Sequence, residues 1–426
     1  MTAPPRPAGT GAPAGSIAEA TAGEPSTEEV ESTAGPAHVA TCSFLASRAT
    51  PSGGFFVALA GGTALARVGQ RRGLREGYGA SVAAVIETVA IMGPARFGVP
   101  FTQALGAPLL GRMQARGFGA LAQWLVCAAI RVLSNAAGLA FFVWVIAGGL
   151  DAYAGTYDAL AGRLGFDLGV RGALLLSLAG LIGWGAFASV VQVTVYRRGL
   201  ARWPERSGAG VEASEEAPAR RGRFDPRAVA LAAAIAFALL LAGTSWPLLG
   251  AASGWLVLAW VASRPDRRAV PTGLVLAALL AAGSFVFVLG GGLGLELALR
   301  RAGRAALLVL VATWLRAAAG TDGLREVARR MLGRLRVLPS VPEAAHTLDR
   351  LGSEGRLLAA GRALVAAVGR ADSRPGPLID AVLGWVPAEA ARYRPGASAA
   401  PLALRAGTLD VALVVLSAAV GLALLA

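Results

Sequence analysis

TDGLREVARRMLGRLRVLPSVPEAAHTLDRLGSEGRLLAAGRALVAAVGRADSR, residues 321–374, is the part of the chain from which its architecture can be read outward. Leu324, Val327, Ala328, Met331, Leu335 and Leu338 recur at the i, i+3, i+4, i+7 spacing of one helix face, while Arg325, Arg329, Arg330, Arg334 and Arg336 fill the rest of the wheel. Leu351, Leu358 and Val365 then stand seven apart, with Asp349, Glu354, Arg356 and Arg362 around them, which predicts a second helix of the same design. The stretch carries too much charge to cross a bilayer, yet apolar blocks of membrane length flank it on both sides. Amphipathic helices so placed read as a docking surface on the cytoplasmic side of a membrane protein.

Composition supports that setting. Of the 426 residues 55% are apolar and 15% charged, and the apolar residues come in long blocks, so an all-α, polytopic membrane protein is expected. The formal charge of +14 would suggest nucleic acid on a soluble protein; here the cations gather in loops between apolar blocks, as the positive-inside rule requires. Nucleic acid is therefore not the expected partner. All 40 basic residues are arginine, a bias that GC-rich coding accounts for as readily as guanidinium chemistry does. Without lysine no Walker A loop can exist in the chain, and any ATP is bound by another protein. Cys42, Cys127, His38 and His346 have no partners at ligand spacing, so neither a metal nor a cofactor is expected, and no nucleophile, base and orienting group assemble into a catalytic set.

Residues 1–50 are rich in Pro, Ala, Gly, Ser, Thr and Glu and read as a disordered tail. Residues 51–196 form a first membrane module. In it the apolar stretch Ala80 to Leu110 is broken at Gly93-Pro94, carries Glu87 and Arg96, and lies between basic clusters at Arg67 to Arg75 and at Arg112 and Arg116, which predicts a re-entrant hairpin or an interfacial helix. Spans are expected at Leu121–Gly149 and Val170–Tyr196. Residues 197–223 read as a charged linker. The second module, 224–426, should cross five times: a short hairpin turning at Gly243 to Pro247, then Thr272–Leu289, Leu293–Ala317 and Gly407–Ala426, with the amphipathic block, about 321–395, before the last span. Arg300, Arg301 and Arg304 sit at the outer end of one span, where snorkelling to the interface is expected.

Four features give residues 224–426 a family likeness: Phe224-Asp225-Pro226-Arg227 before the first span; Gly290-Gly291-Gly292-Leu293 feeding an arginine-bearing span; Thr321 to Glu326 leading to Leu332-Gly333-Arg334-Leu335-Arg336-Val337-Leu338-Pro339; and a last span preceded by Arg405 and containing Asp410. In this order they resemble the transmembrane T-component of energy-coupling factor transporters, the bacterial importers driven by a separate pair of ABC-type ATPases. The resemblance implies a scaffold in the bacterial cell membrane, with tail and arginine-rich loops cytoplasmic, that couples ATPase subunits to a substrate-binding membrane subunit through Ala-Arg-small motifs. The nearest counterparts are Ala328-Arg329-Arg330, Ala360-Gly361-Arg362-Ala363 and Gly369-Arg370-Ala371, which nominates Arg329, Arg330, Arg362 and Arg370. The alternative reading of the same arginines is a non-transport membrane scaffold that recruits a soluble protein or anionic lipid through basic amphipathic helices.

Inside the first module, Glu87, Arg96, Arg131 and Asn135 are polar groups in apolar surroundings, which mark either a pathway or a buried pair. Arg131 and Asn135 lie one turn apart. The expected arrangement pairs Glu87 with Arg131 and sets Asn135 beside them, serving either transport or a structural role.

Overall fold

The computed structural model describes residues 27–50, 54–94, 100–166, 168–203, 223–264, 269–335, 338–372, 374–393, 402, 404 and 406–425. Helix is the only regular structure among them. The first half holds α1 (Thr27–Ala49), α2 (Gly54–Arg71), α3 (Leu74–Met92), α4 (Pro100–Ala115), α5 (Ala120–Phe141) with a π-helical continuation over Phe142–Ala147, α6 (Leu150–Arg163) and α7 (Gly169–Arg202). The second holds α8 (Pro226–Ala242), α9 (Trp246–Ser263), α10 (Ala269–Gly290), α11 (Leu295–Arg334), α12 (Ser340–Arg350), α13 (Glu354–Arg370), α14 (Pro375–Arg392) and α15 (Thr408–Leu425).

Five helical stretches are long and apolar enough to cross a membrane: Ala120–Val145, Gly169–Arg202, Trp246–Ser263, Val270–Gly290 and the first part of Leu295–Arg334. Two shorter apolar helices, α8 and α15, pack beside them. The outward faces of the spans are uniformly greasy: Leu121, Leu175, Val261 and Leu279 are each about two-thirds exposed, at 68, 66, 70 and 66%. Such faces are stable only against lipid or another apolar surface. The chain is thus an all-α protein with the build of a polytopic membrane protein.

From Thr27 onward the expected tail is replaced by α1, a finding that revises the reading of residues 27–49 as disordered; residues 1–26 lie outside the described residues. Few large apolar side chains are present there, a pattern that forbids a core in water. Small residues, however, let helices approach closely, and α1 uses them in that way. Ala34, Ala37 and Ala40 are fully buried, and Ser43 donates to the Val57 carbonyl (2.6 Å) while accepting from the Gly61 amide (2.9 Å). The Ala80–Leu110 stretch holds two helices, α3 and α4, that pack on each other, with Gly93 closing α3 and residues 95–99 outside the described residues.

Three large apolar clusters result among the described residues. One joins α8, α9, α11 and α15 around Trp314, Trp255 and Leu240. The other two are built on the first half and extend into the later helices: Leu348 and Leu351 enter one with Phe44 and Leu65, and Leu357 and Leu364 enter the other beside Val39 and Cys42. Helix α12 packs on α3 and α1, α13 on α1, and α14 on α2. The buried apolar faces of α12, α13 and α14 are therefore covered by the chain's own first half.

Candidate functional site

The block begins at a break in backbone geometry. Gly320 lies within α11 at φ 72° and ψ 166°, a combination open in practice only to glycine, and it separates the span Leu295–Ala319 from the charged turns that follow. Around this break and beyond it, two ion pairs and one side-chain-to-backbone hydrogen bond join α3 of the first half to the second.

At the break itself, Thr321 Oγ1 donates to the Glu354 carboxylate (2.5 Å), which also accepts from Arg316 Nη2 (3.2 and 3.4 Å). The Nε of Arg316 reaches across to the carbonyl of Ile91 at the end of α3 (2.8 Å). One turn further, Arg325 grips Glu87 with two donors, Nε at 2.8 Å from Oε2 and Nη2 on Oε1. Glu87 is fully buried and the Arg325 side chain is 12% exposed. Beyond that, Arg75 at the start of α3 pairs with Glu343 of α12 (2.5 Å). These contacts run along α3, forming an ionic seam between it and the arginine-rich block.

Glu87 and Arg131 are not partners. Arg131 Nη2 instead donates to the Gln192 side-chain oxygen, Gln192 donates to the Tyr196 hydroxyl (3.2 Å), and Tyr196 donates to Gln103 (2.7 Å). The guanidinium also lies over the Phe55 ring, 5.3 Å from its centre. All four polar residues of this chain are buried, in a hydrogen-bonded core between α4, α5 and α7. Asn135 stands one turn along α5 and is partly exposed, and Arg96 lies outside the described residues. Gln103, Gln192 and Tyr196 were legible only as polar interruptions of apolar runs. Arg325, placed on the helical wheel as a surface cation, has no local signal for a partner so far away.

The four nominated coupling arginines fall into two kinds. Arg329 and Arg330 both clamp Glu326, at 2.8–3.0 Å and 2.6 Å, and Arg330 also donates to the Leu402 carbonyl (3.3 Å). Arg362 and Arg370 are exposed, donate only to carbonyls one turn back in their own helix, and form no ion pair among the described residues. The apolar stripe is also split. Leu332, Thr321 and Glu326 are buried, whereas Met331, Leu335 and Leu338 are 59, 52 and 58% exposed. In α13 the covered face is Leu357, Gly361 and Leu364, one position out of phase with the expected Leu358 and Val365. A further Ala-Arg-small tripeptide, Ala115-Arg116-Gly117, ends α4 and is exposed.

Three distant segments of the second half converge on the opening of α8. Asp225 caps that helix, accepting from the Arg227 amide (2.8 Å) and side chain (3.2 and 2.9 Å). Its own amide donates to Asp410 Oδ1 (2.8 Å), and Asp410 Oδ2 accepts from Gly407 (2.7 Å). Pro226 packs where a side chain at residue 323 would be: a Cβ on Gly323 would lie 2.7 Å from the proline ring. Burial pushes the Asp225 carboxyl up, but the Arg227 hydrogen bonds and charge outweigh it and hold the group below the ordinary carboxylate range. The segments Phe224–Arg227, Thr321–Glu326 and Asp410 thus form one junction at which α8, α11 and α15 meet.

Comparison with protein-family models, with curated proteins and with solved structures gives no match.

Proposed function

We propose that this protein is the membrane-embedded scaffold of an energy-coupling factor type importer in the bacterial cell membrane, passing motion from cytoplasmic ABC-type ATPase subunits to a substrate-binding membrane partner. One observation carries the reading. After the first half has packed on α12, α13 and α14, Met331, Leu335 and Leu338 remain uncovered beside the exposed Arg330 and Arg334, and Arg362 and Arg370 project with no ion pair among the described residues. An apolar stripe rimmed by cations suits a groove with acidic edges on a soluble protein, since guanidinium forks bind carboxylates in a fixed geometry. Exposed Arg116 and Phe118 at the end of α4 extend the same character to the first half.

The ionic seam supplies a path for the motion. A push on the charged end of α11 pivots at Gly320 and is delivered to α3 through Arg325–Glu87 and Arg316–Ile91, a lateral displacement of packed helices with no covalent chemistry. The convergence of Asp225, Gly323 and Asp410 supports the likeness of the second half to a T-component, because the segments that carry it belong to one junction.

The test is purification of the full chain in mild detergent from its own host, with mass spectrometry for ATPases bearing a Walker motif. Stoichiometric recovery of such subunits is expected, and loss of them in Met331→Asp/Leu335→Asp and in Arg362→Glu/Arg370→Glu with the melting temperature unchanged. If no ATPase accompanies the protein and these variants leave uptake intact, the proposal fails; loss of binding to phosphatidylglycerol vesicles in the same variants would instead favour a non-transport scaffold held at anionic lipid.

A further inference from the structure

Arg301 and Arg304 stand on one face of α11 near its Leu295 start, and they do not snorkel. Arg300 beside them does turn outward, pairing with Glu296 and lying over the Trp246 ring at 5.9 Å. Arg301 and Arg304 are only 8 and 6% exposed. The Nη2 of Arg301 fills the space above Gly148, where an added Cβ would come within 1.9 Å of it. Gly148 itself has φ 84° and ends the π-helical turn of the first half, so this contact brings the two halves together at the end of α11 opposite the ionic seam.

What these two guanidinium groups lack is a counter-charge. Nη1 of Arg301 and Nε of Arg304 are buried donors without an acceptor, and no carboxylate among the described residues pairs with either. Arg301 and Arg304 lie one helical turn apart and carry charges of the same sign. Burying a cation without a partner is strongly unfavourable, and a long arginine side chain can ordinarily escape by reaching for water. Two that stay inside, side by side, are arranged for something negative.

We infer that Arg301 and Arg304, closed over by Gly148, form a binding site for a phosphate-type anion, supplied either by the headgroup of an anionic phospholipid or by a free phosphate in solution. One phosphate presents oxygens in several directions and can accept from both forks, taking up the unmet Nη1–H and Nε–H donors and offsetting both charges, which a single carboxylate does less completely. Exposed Trp144 on the π-helical turn and Trp246 on α9, 63 and 47% exposed, flank the region as interfacial aromatic residues do. This site is independent of the ATPase reading.

The full chain is reconstituted in nanodiscs of phosphatidylcholine alone, and its melting temperature is followed in two arms: increasing phosphatidylglycerol in the disc, and increasing inorganic phosphate in the buffer. The wild type is expected to show a saturable rise in one arm, phosphatidylglycerol identifying a headgroup and phosphate a solute. Arg301→Gln/Arg304→Gln should lose the rise and, without ligand, should melt higher than the wild type. Arg304→Lys keeps the charge but not the fork, and about tenfold weaker binding is expected of it; it carries the test if the double variant is not recovered. A wild type that responds in neither arm, or variants that respond as the wild type does, would overturn the proposal.

Discussion

Glu87 of α3 and Arg325 of α11 form a buried, two-pronged ion pair between positions 238 residues apart in the chain. Their geometry makes the consequences of removing each partner unequal. Arg325→Met leaves a fully buried carboxylate with no cation, at a cost of about 3–5 kcal/mol. Glu87→Gln should cost less, about 1–2 kcal/mol, because Arg325 keeps Asp322 within 3.8 Å and glutamine still offers an acceptor. The double variant Glu87→Leu/Arg325→Met removes both charges and should recover most of the loss. Urea titration of the detergent-solubilised protein gives all three values; if the double variant is as unstable as Arg325→Met, the seam is not held by this pair.

Gly320→Ala isolates the pivot. No heavy atom lies within 4 Å of the position an added Cβ would take, so any cost comes from backbone conformation alone. At φ 72° and ψ 166° that cost is about 1–3 kcal/mol. Asparagine, which tolerates the left-handed region near ψ 45°, should not rescue the position, since its ψ is far from that value. Equal melting temperatures for wild type and Gly320→Ala would show that α11 does not need this break.

Acid should act on two aspartates in opposite directions. Asp225 is held below the ordinary carboxylate value: burial raises it, but the Arg227 contacts more than compensate. Its contribution is present above the unfolded value, about pH 4, and disappears as pH falls through the depressed folded value. Asp349 is raised by burial, with Glu326 adding to the rise and Arg329, His346 and Arg325 opposing it. Stability from its protonated form is complete below the unfolded value and is lost as pH rises through the folded one. Asp225→Asn should therefore melt lower than wild type at pH 7, and Asp349→Asn higher. The Asp349 difference should vanish below about pH 4, whereas the Asp225 difference should shrink as pH falls toward its depressed folded value; a series of melting curves from pH 8 into acid resolves the two.

The spans and the break before Thr321 were legible because apolar length and charge are local properties of the chain. The close packing of α1 was not: Ala, Gly, Ser and Thr from 33 to 47 signal disorder in water, and become a helix interface only when a partner such as α2 presents Gly61 and Val57. Ion-pair partners were illegible for another reason. The apolar setting of Glu87 calls for one, whereas Arg325 reads on the wheel as a solvated cation, and pairing across the fold depends on which helices adjoin. Arg131 found Gln192 on α7, the neighbouring span, while the ion-pair partners of α3 came from α11 and α12.

The phase of α13 offers the sharpest check on how the arginine-rich block is seated. Leu351, Leu358 and Val365 share a heptad spacing only if one helix runs through all three, and it does not: α12 ends at Arg350, Leu351 is extended, and α13 restarts at Glu354. The restart resets the register by one position. Leu357 and Leu364, with 0% exposure, turn toward Val39 and Cys42 of α1, and Gly361 between them lets the Cys42 carbonyl within 3.2 Å of where a Cβ would be. Leu358, 37% exposed, faces away. Leu357→Ala should then cost about 2–5 kcal/mol, and Leu358→Ala less than about 1 kcal/mol. The seating implies a further contrast in binding: Leu358→Asp should spare the fold yet weaken any partner that docks on the Arg362 side, whereas Leu357→Asp should release α13 from α1 and expose the block to proteolysis. Comparable losses of stability in Leu357→Ala and Leu358→Ala would mean that α13 is rotated from this position and that the uncovered face has been assigned to the wrong side of the helix.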